Sequence, residues 1–272
     1  MTVSLRHTLA LLLAAVALAP TAASPDQKAD AEALWNQAIA SKGGRTRLEA
    51  VQSLIVTERT EYNRSPRPDM TTGFTRQRLY VFPARLWEFV DERPGRLGSS
   101  LTVFDVEQLS GWSSTGRLTD GQGLADGIKN RLIHGQLVYL LETAFLKPEP
   151  TGTRSGTVGR TAVDIVEIRL PSSDLRAEYY LDRQSHLPIR VVLFYTIRTP
   201  PDAPVAARTI ANEDRYTLGN YVEVDGLQMP TVAMLEGPDK SNTTSYRINV
   251  DYDEQVFTTR PSQPRLNGWE KR

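Results

Sequence analysis

Arg78-Leu79-Tyr80-Val81-Phe82-Pro83-Ala84-Arg85-Leu86-Trp87-Glu88-Phe89 decides how this chain folds. Apolar residues alternate with others on both sides of a proline, and a period of two belongs to strands. Pro83 has no N–H to give a ladder, so it marks the turn between two antiparallel neighbours. Leu79, Val81, Trp87 and Phe89 then share one face, and Leu101 and Val103 extend it onto a third strand. Two uses fit such a face. It can line a hollow for acyl chains, which bind by burial at about 0.8 kcal/mol per CH₂, or it can be an ordinary packed core under helices.

The same rhythm continues outward. In the first half it predicts strands at Ser53–Tyr62, Thr72–Phe82, Leu86–Asp91 and Ser100–Val106, punctuated by Pro66, Pro68 and Arg93-Pro94-Gly95. In the second half it predicts Ala162–Leu170, Ala177–Asp182, Ile189–Arg198, Thr209–Val224, Leu227–Glu236 and Thr243–Val250. Asp225-Gly226 is the strongest hairpin signal among them.

Two helical stretches interrupt the strands. Ala31, Leu34, Trp35, Ala38 and Ile39 recur at helical spacing after a Ser24-Pro25 start, and Gly43-Gly44 stops them. Thr46 and Glu49 stand as a capping box for a short second turn. A longer helix runs from about Leu124 to Leu146, with Leu137, Leu140 and Leu141 on its apolar face, and Pro148 and Pro150 end it. Strands joined by short turns, plus helices with one apolar stripe, predict an α+β fold. Its form would be a large curved antiparallel sheet with helices covering the concave face. Leu137 and Leu140 are then candidates, with the six strand residues above, to contact a ligand.

The first 23 residues set the compartment. Arg6 and His7 precede an apolar run from Leu9 to Ala19, followed by Thr21-Ala22-Ala23, which reads as a signal peptide cleaved after Ala23. The run falls short of the roughly 20 residues of a membrane span. An exported, periplasmic protein is expected, with residues 24–272 as one domain.

Composition removes whole classes of function. There is no cysteine, so disulfides, thiol nucleophiles and Cys-bound metals are excluded. The 32 basic residues balance the 32 acidic ones, which leaves no basic footprint for nucleic acid. Only His134 and His186 remain after the leader, without the i, i+4 spacing of a helical metal pair and without a Gly-x-Ser-x-Gly elbow elsewhere. No cofactor or metal is expected. Asp105, Glu107, Asp164 and Glu167 are the candidates for a carboxylate hydrolase, motivated only by acids recurring on strands. Trp269 sits in a tail rich in Pro, Arg and Asn and is expected at or near the surface.

Several segments, in this order, resemble the bacterial outer-membrane lipoprotein-sorting family, the periplasmic carriers of the LolA type and their relatives. They are Ala33-Leu34-Trp35 through Gly43-Gly44, Leu54-Ile55-Val56, the opening Arg78–Phe89 stretch, Tyr180-Leu181-Asp182 with Leu187-Pro188-Ile189-Arg190, and Val224-Asp225-Gly226-Leu227-Gln228-Met229-Pro230. The resemblance implies an unclosed barrel with a helical lid over an apolar cavity. It also implies no enzymatic activity, a lipid or acylated protein as ligand, a delivery partner at the outer or inner membrane, and a monomer. The carriers' Arg before the turning Pro is Phe82 here, with Arg78 and Arg85 nearby. The alternative reading is an envelope interaction module that uses an exposed sheet edge.

Overall fold

The alternation around Pro83 becomes a β-hairpin, and the rest of the chain is arranged around it. A computed structural model describes residues 25–62, 73–92, 98–114, 116–118, 121–171, 173–198, 209–237, 240–259 and 264–271. The proposed leader and the Ser24 cap lie outside the described residues. Helices α1 (Pro25–Lys42) and α2 (Arg45–Glu49) precede strands β1 (Ser53–Tyr62), β2 (Gly73–Val81), β3 (Arg85–Asp91), β4 (Ser99–Asp105), β5 (Ser110–Ser113) and β6 (Gly116–Leu118). Helix α3 (Gly121–Tyr139) leads into β7 (Glu149–Val158), β8 (Thr161–Arg169), β9 (Arg176–Asp182), β10 (Pro188–Arg198), β11 (Thr209–Val224), β12 (Leu227–Leu235), β13 (Lys240–Ile248) and a last turn, α4 (Gln255–Thr258).

The architecture is α+β with unclosed antiparallel sheets, but there are two sheets instead of one. One runs β13-β1-β2-β3-β4-β5-β6, the other β12-β11-β10-β9-β8-β7. They meet where consecutive strands β12 and β13 diverge. Pro230 lies in β12, which is paired on one side only, and an edge strand tolerates a proline in its interior. Side chains bridge that seam. The Tyr246 hydroxyl donates to the Pro230 carbonyl at 2.6 Å, and the Ala233 N–H donates to Asn242 Oδ1 at 3.4 Å.

The main core lies between the helices and the inner faces of both sheets. Trp35 of α1 meets the Tyr179 ring of β9 edge-on at 4.9 Å, and the Tyr179 hydroxyl donates to the Leu137 carbonyl of α3 at 2.9 Å. Leu54, Val56, Tyr80, Leu86 and Phe104 join that core from the first sheet. Gly43, at φ 126°, brings the end of α1 onto the β11–β12 turn. A Cβ there would stand 2.3 Å from the Gly226 carbonyl oxygen. Asp225 and Gly226 both take positive φ in that turn, as their dipeptide predicts.

Four local expectations are corrected. The long helix ends at Tyr139, because Leu141 turns at φ 73° and both Leu140 N–H and Leu141 N–H share the Gln136 carbonyl. Strand β7 carries Pro150 and two glycines and has no apolar alternation, so the period-two pattern passes over it. It survives as an edge strand bulged between Pro150 and Gly152 and packed under α1. The capping box does not form, since Gly44 caps α2 without a side-chain bond. Trp269 is fully buried.

Trp269 is buried because the first sheet has apolar residues on both faces. Its outer face carries Ile55, Leu79, Val81, Trp87, Phe89, Leu101 and Val103, and Phe257 and Trp269 of the C-terminal segment cover it. The indole N–H donates to Gln77 Oε1 at 3.1 Å, and the Arg247 guanidinium lies 4.9 Å from the ring.

Candidate functional site

On the inner face of the first sheet the side chains change character along the strands. Near the β2–β3 turn they are apolar: Leu54, Tyr80, Leu86 and Phe104. Two residues further along the same rows stand Arg78 and Glu88, and four further stand Glu58 and Arg76. Period-two alternation puts them all on one face, so the charges come from the strands that the opening hairpin defines. They form the floor of a cavity of 390 Å³, roofed by α3 and walled on the far side by β12 and β13.

The floor is an ion-pair lattice. Arg78 reaches Glu88 at 2.5 Å and Glu58 at 3.4 Å. Arg131 of α3 bonds Glu88 at 3.0 Å, and the Tyr139 hydroxyl donates to Glu58 at 2.7 Å. Arg76 sits at longer range, 3.5 Å from Glu58 and 3.8 Å from Glu88. Burial alone would raise the Glu88 carboxyl, but Arg78, then Arg131 and Arg76, outweigh it and hold Glu88 below its ordinary range. Burial pushes the Tyr80 phenol up to about 12. It raises Tyr139 as well, with the Glu58 charge adding to the effect.

His134 completes the α3 wall. Its ring meets Tyr195 edge-on at 4.8 Å, and Nδ1 is 3.8 Å from Asp214. Burial, opposed by Asp214, lowers it to about 4, so it is neutral near pH 7. Gly135 beside it lets roof and floor approach closely. A Cβ there would stand 2.7 Å from the Tyr80 ring. Phe74, Val138, Met234 and Leu235 give the cavity an apolar side, and Leu235 is 41% exposed at the mouth.

None of the eight residues singled out from sequence lines this cavity. Leu79, Val81, Trp87, Phe89, Leu101 and Val103 are brought together, but on the outer face against Phe257 and Trp269. Leu137 and Leu140 are fully buried in the main core. The residues that sequence reading passed over are Glu58, Arg76, Arg78 and Glu88. Their signal was available: four charged positions on three neighbouring strands share the face of buried Leu54, Tyr80 and Leu86.

Both floor carboxylates are engaged by guanidinium groups. Asp105 accepts the N–H groups of Glu107 and Gln108 in a turn, Asp164 pairs with Arg183, and Glu167 pairs with Arg154. His186 occupies a turn at φ 56°. Among the described residues, no group of three or more His, Asp or Glu is placed to hold a metal ion.

No family model matches the sequence, and no curated protein does. Among solved structures the chain is similar to a Vibrio parahaemolyticus domain described as an outer-membrane lipoprotein-sorting protein. The identity is 13% and the TM-score 0.39, over 83% of this chain and 96% of that one. It is also similar to MucB, at 15% identity and a TM-score of 0.21, over 78% of this chain and 65% of MucB. MucB in complex with MucA(peri) matches at 11% identity and a TM-score of 0.21, over 84% and 96%.

Proposed function

We propose that this chain is an exported, non-enzymatic binding or carrier protein of the bacterial periplasm, taking a lipid or the acylated part of a protein. The observation that carries this reading is the 390 Å³ cavity between the first sheet, α3 and the β12–β13 wall. Its size falls in the range of small-molecule sites, about 300–1,000 Å³. Phe74, Val138 and Met234 offer a hydrocarbon tail a place away from water, and exposed Leu235 continues that surface to the mouth. The engaged carboxylates favour holding a ligand over transforming it. The basic start, short apolar run and small-residue cut site of residues 1–23 support export, and no described helix is long and apolar enough to cross a membrane. A carrier of this kind acts as a monomer and hands its cargo to a partner at one of the two membranes.

The test is mass spectrometry of organic extracts from protein purified out of the envelope fraction, joined to displacement of a fluorescent fatty acid. The expected result is a co-purifying acyl species and saturable displacement. Protein that carries no lipid and ignores the probe would turn the reading towards an envelope interaction module.

A further inference from the structure

The cavity's charges do not balance. Among the described lining residues, Arg76, Arg78, Arg131 and Lys240 face only Glu58 and Glu88, and His134 is neutral. Asp214 stands behind His134 and Tyr195, outside the lining. An excess of two positive charges in a partly enclosed space is costly unless a counter-charge is supplied, because solvent screens it poorly there.

The excess is localised. Arg78 is engaged by both carboxylates, and Arg131 by Glu88. Arg76 is the loosest member of the lattice, with its contacts at 3.5 and 3.8 Å and its Nε buried without a hydrogen bond. Lys240 stands beside it. Burial first, and then the Arg76 charge, push that ammonium down from its ordinary value. The Arg76 guanidinium also lies 4.8 Å from the Phe74 ring, which orients its fork, and Phe74 in turn meets Tyr62 at 6.4 Å. A cationic pair is therefore set directly against an apolar rim.

Resting on the carrier reading above, we infer that the ligand is an anionic amphiphile whose phosphate or carboxylate head is held by Arg76 and Lys240. The tail lies along Phe74, Met234 and Leu235. A guanidinium fork suits the two oxygens of either head group, and the ammonium adds a point charge beside it.

The experiment measures binding of dodecyl phosphate, dodecanoic acid, dodecanol and inorganic phosphate to the full exported chain. The comparison is between wild type and the Arg76→Gln/Lys240→Gln variant, with each single variant as a check on folding. The two charged amphiphiles are expected to bind at least about tenfold tighter than dodecanol, the gain of charge-assisted hydrogen bonds. The double variant should erase that difference. Added salt should weaken only the charged ligands. If dodecanol binds as well as dodecyl phosphate, the charge assignment falls and the carrier reading stands. If inorganic phosphate binds as tightly as dodecyl phosphate, the tail contributes nothing and both fall. If no chain-bearing ligand binds, the carrier reading itself has failed.

Discussion

Gln77 holds Trp269 in place from 192 residues away: its side-chain oxygen accepts the indole N–H at 3.1 Å and the Asn267 backbone N–H at 2.7 Å. Its amide nitrogen donates to Asn267 Oδ1 at 2.8 Å and to Thr57 at 3.0 Å. One buried amide thus uses its hydrogen-bonding capacity in full, with three bonds fastening the C-terminal segment to the outer face of the first sheet and one to neighbouring Thr57.

Removing either partner has different costs. Trp269→Ala deletes a fully buried ring and is expected to destabilise by about 3–5 kcal/mol. Gln77→Ala leaves a buried indole N–H unsatisfied and is expected to cost about 1–3 kcal/mol. Urea unfolding checks both. A Trp269→Ala loss below that of Gln77→Ala would show that the tail does not pack as described.

Gly127 and Gly135 lie in one helix but predict opposite signs. A Cβ at exposed Gly127 meets nothing within 4 Å, so Gly127→Ala should stabilise by about 0.5–1 kcal/mol through helix propensity. A Cβ at Gly135 collides with the Tyr80 ring at 2.7 Å. There the overpacking cost of about 1–3 kcal/mol outweighs the same propensity gain. Thermal melts of the two variants should move in opposite directions.

Glu88 sets part of the acid limit of the fold. Its folded carboxyl is held below the ordinary 4.5, so its stabilisation is complete above that value. It is lost as the pH falls through the lower, folded one. Glu88→Gln should therefore be less stable than wild type near neutrality. The gap should close in acid, read as denaturant midpoints across a pH series.

His134 acts over a higher window. Its folded value is near 4 and its ordinary one 6.5, so between those values the unfolded chain takes a proton that the folded one refuses. Stability falls as the pH drops from 6.5 towards 4. His134→Gln should flatten that slope. In wild type, a ring proton of His134 should titrate near 4 by NMR. A midpoint close to 6.5 would mean the ring is solvated.

The strands, the Asp225-Gly226 turn and the helices were legible because each depends on local pattern. The side of the sheet that faces the cavity was not. Leu79, Val81, Trp87 and Phe89 make the more continuously apolar row, and an apolar row ordinarily faces the interior. Here both rows are buried, one under Trp269 and one under α3, so apolarity alone does not say which of them faces the cavity. A one-residue shift in parity exchanges the two faces entirely. The covering segment lies some 180 residues away and is short and polar in composition, so its docking depends on the tertiary match of Gln77 with Trp269. Strand β7 escaped because an edge under a helix needs no alternation of its own.

The cavity lies across the join between the two sheets: Met234 and Leu235 belong to one, Arg76 and Lys240 to the other. Within either sheet, moving neighbouring strands apart tears a row of main-chain bonds. At this boundary the described ties are the Tyr246 phenol and the Asn242 amide, which can be remade after a slight splay. A guest bulkier than the resting volume therefore meets its least resistance along this one line, much as a book opens at its spine.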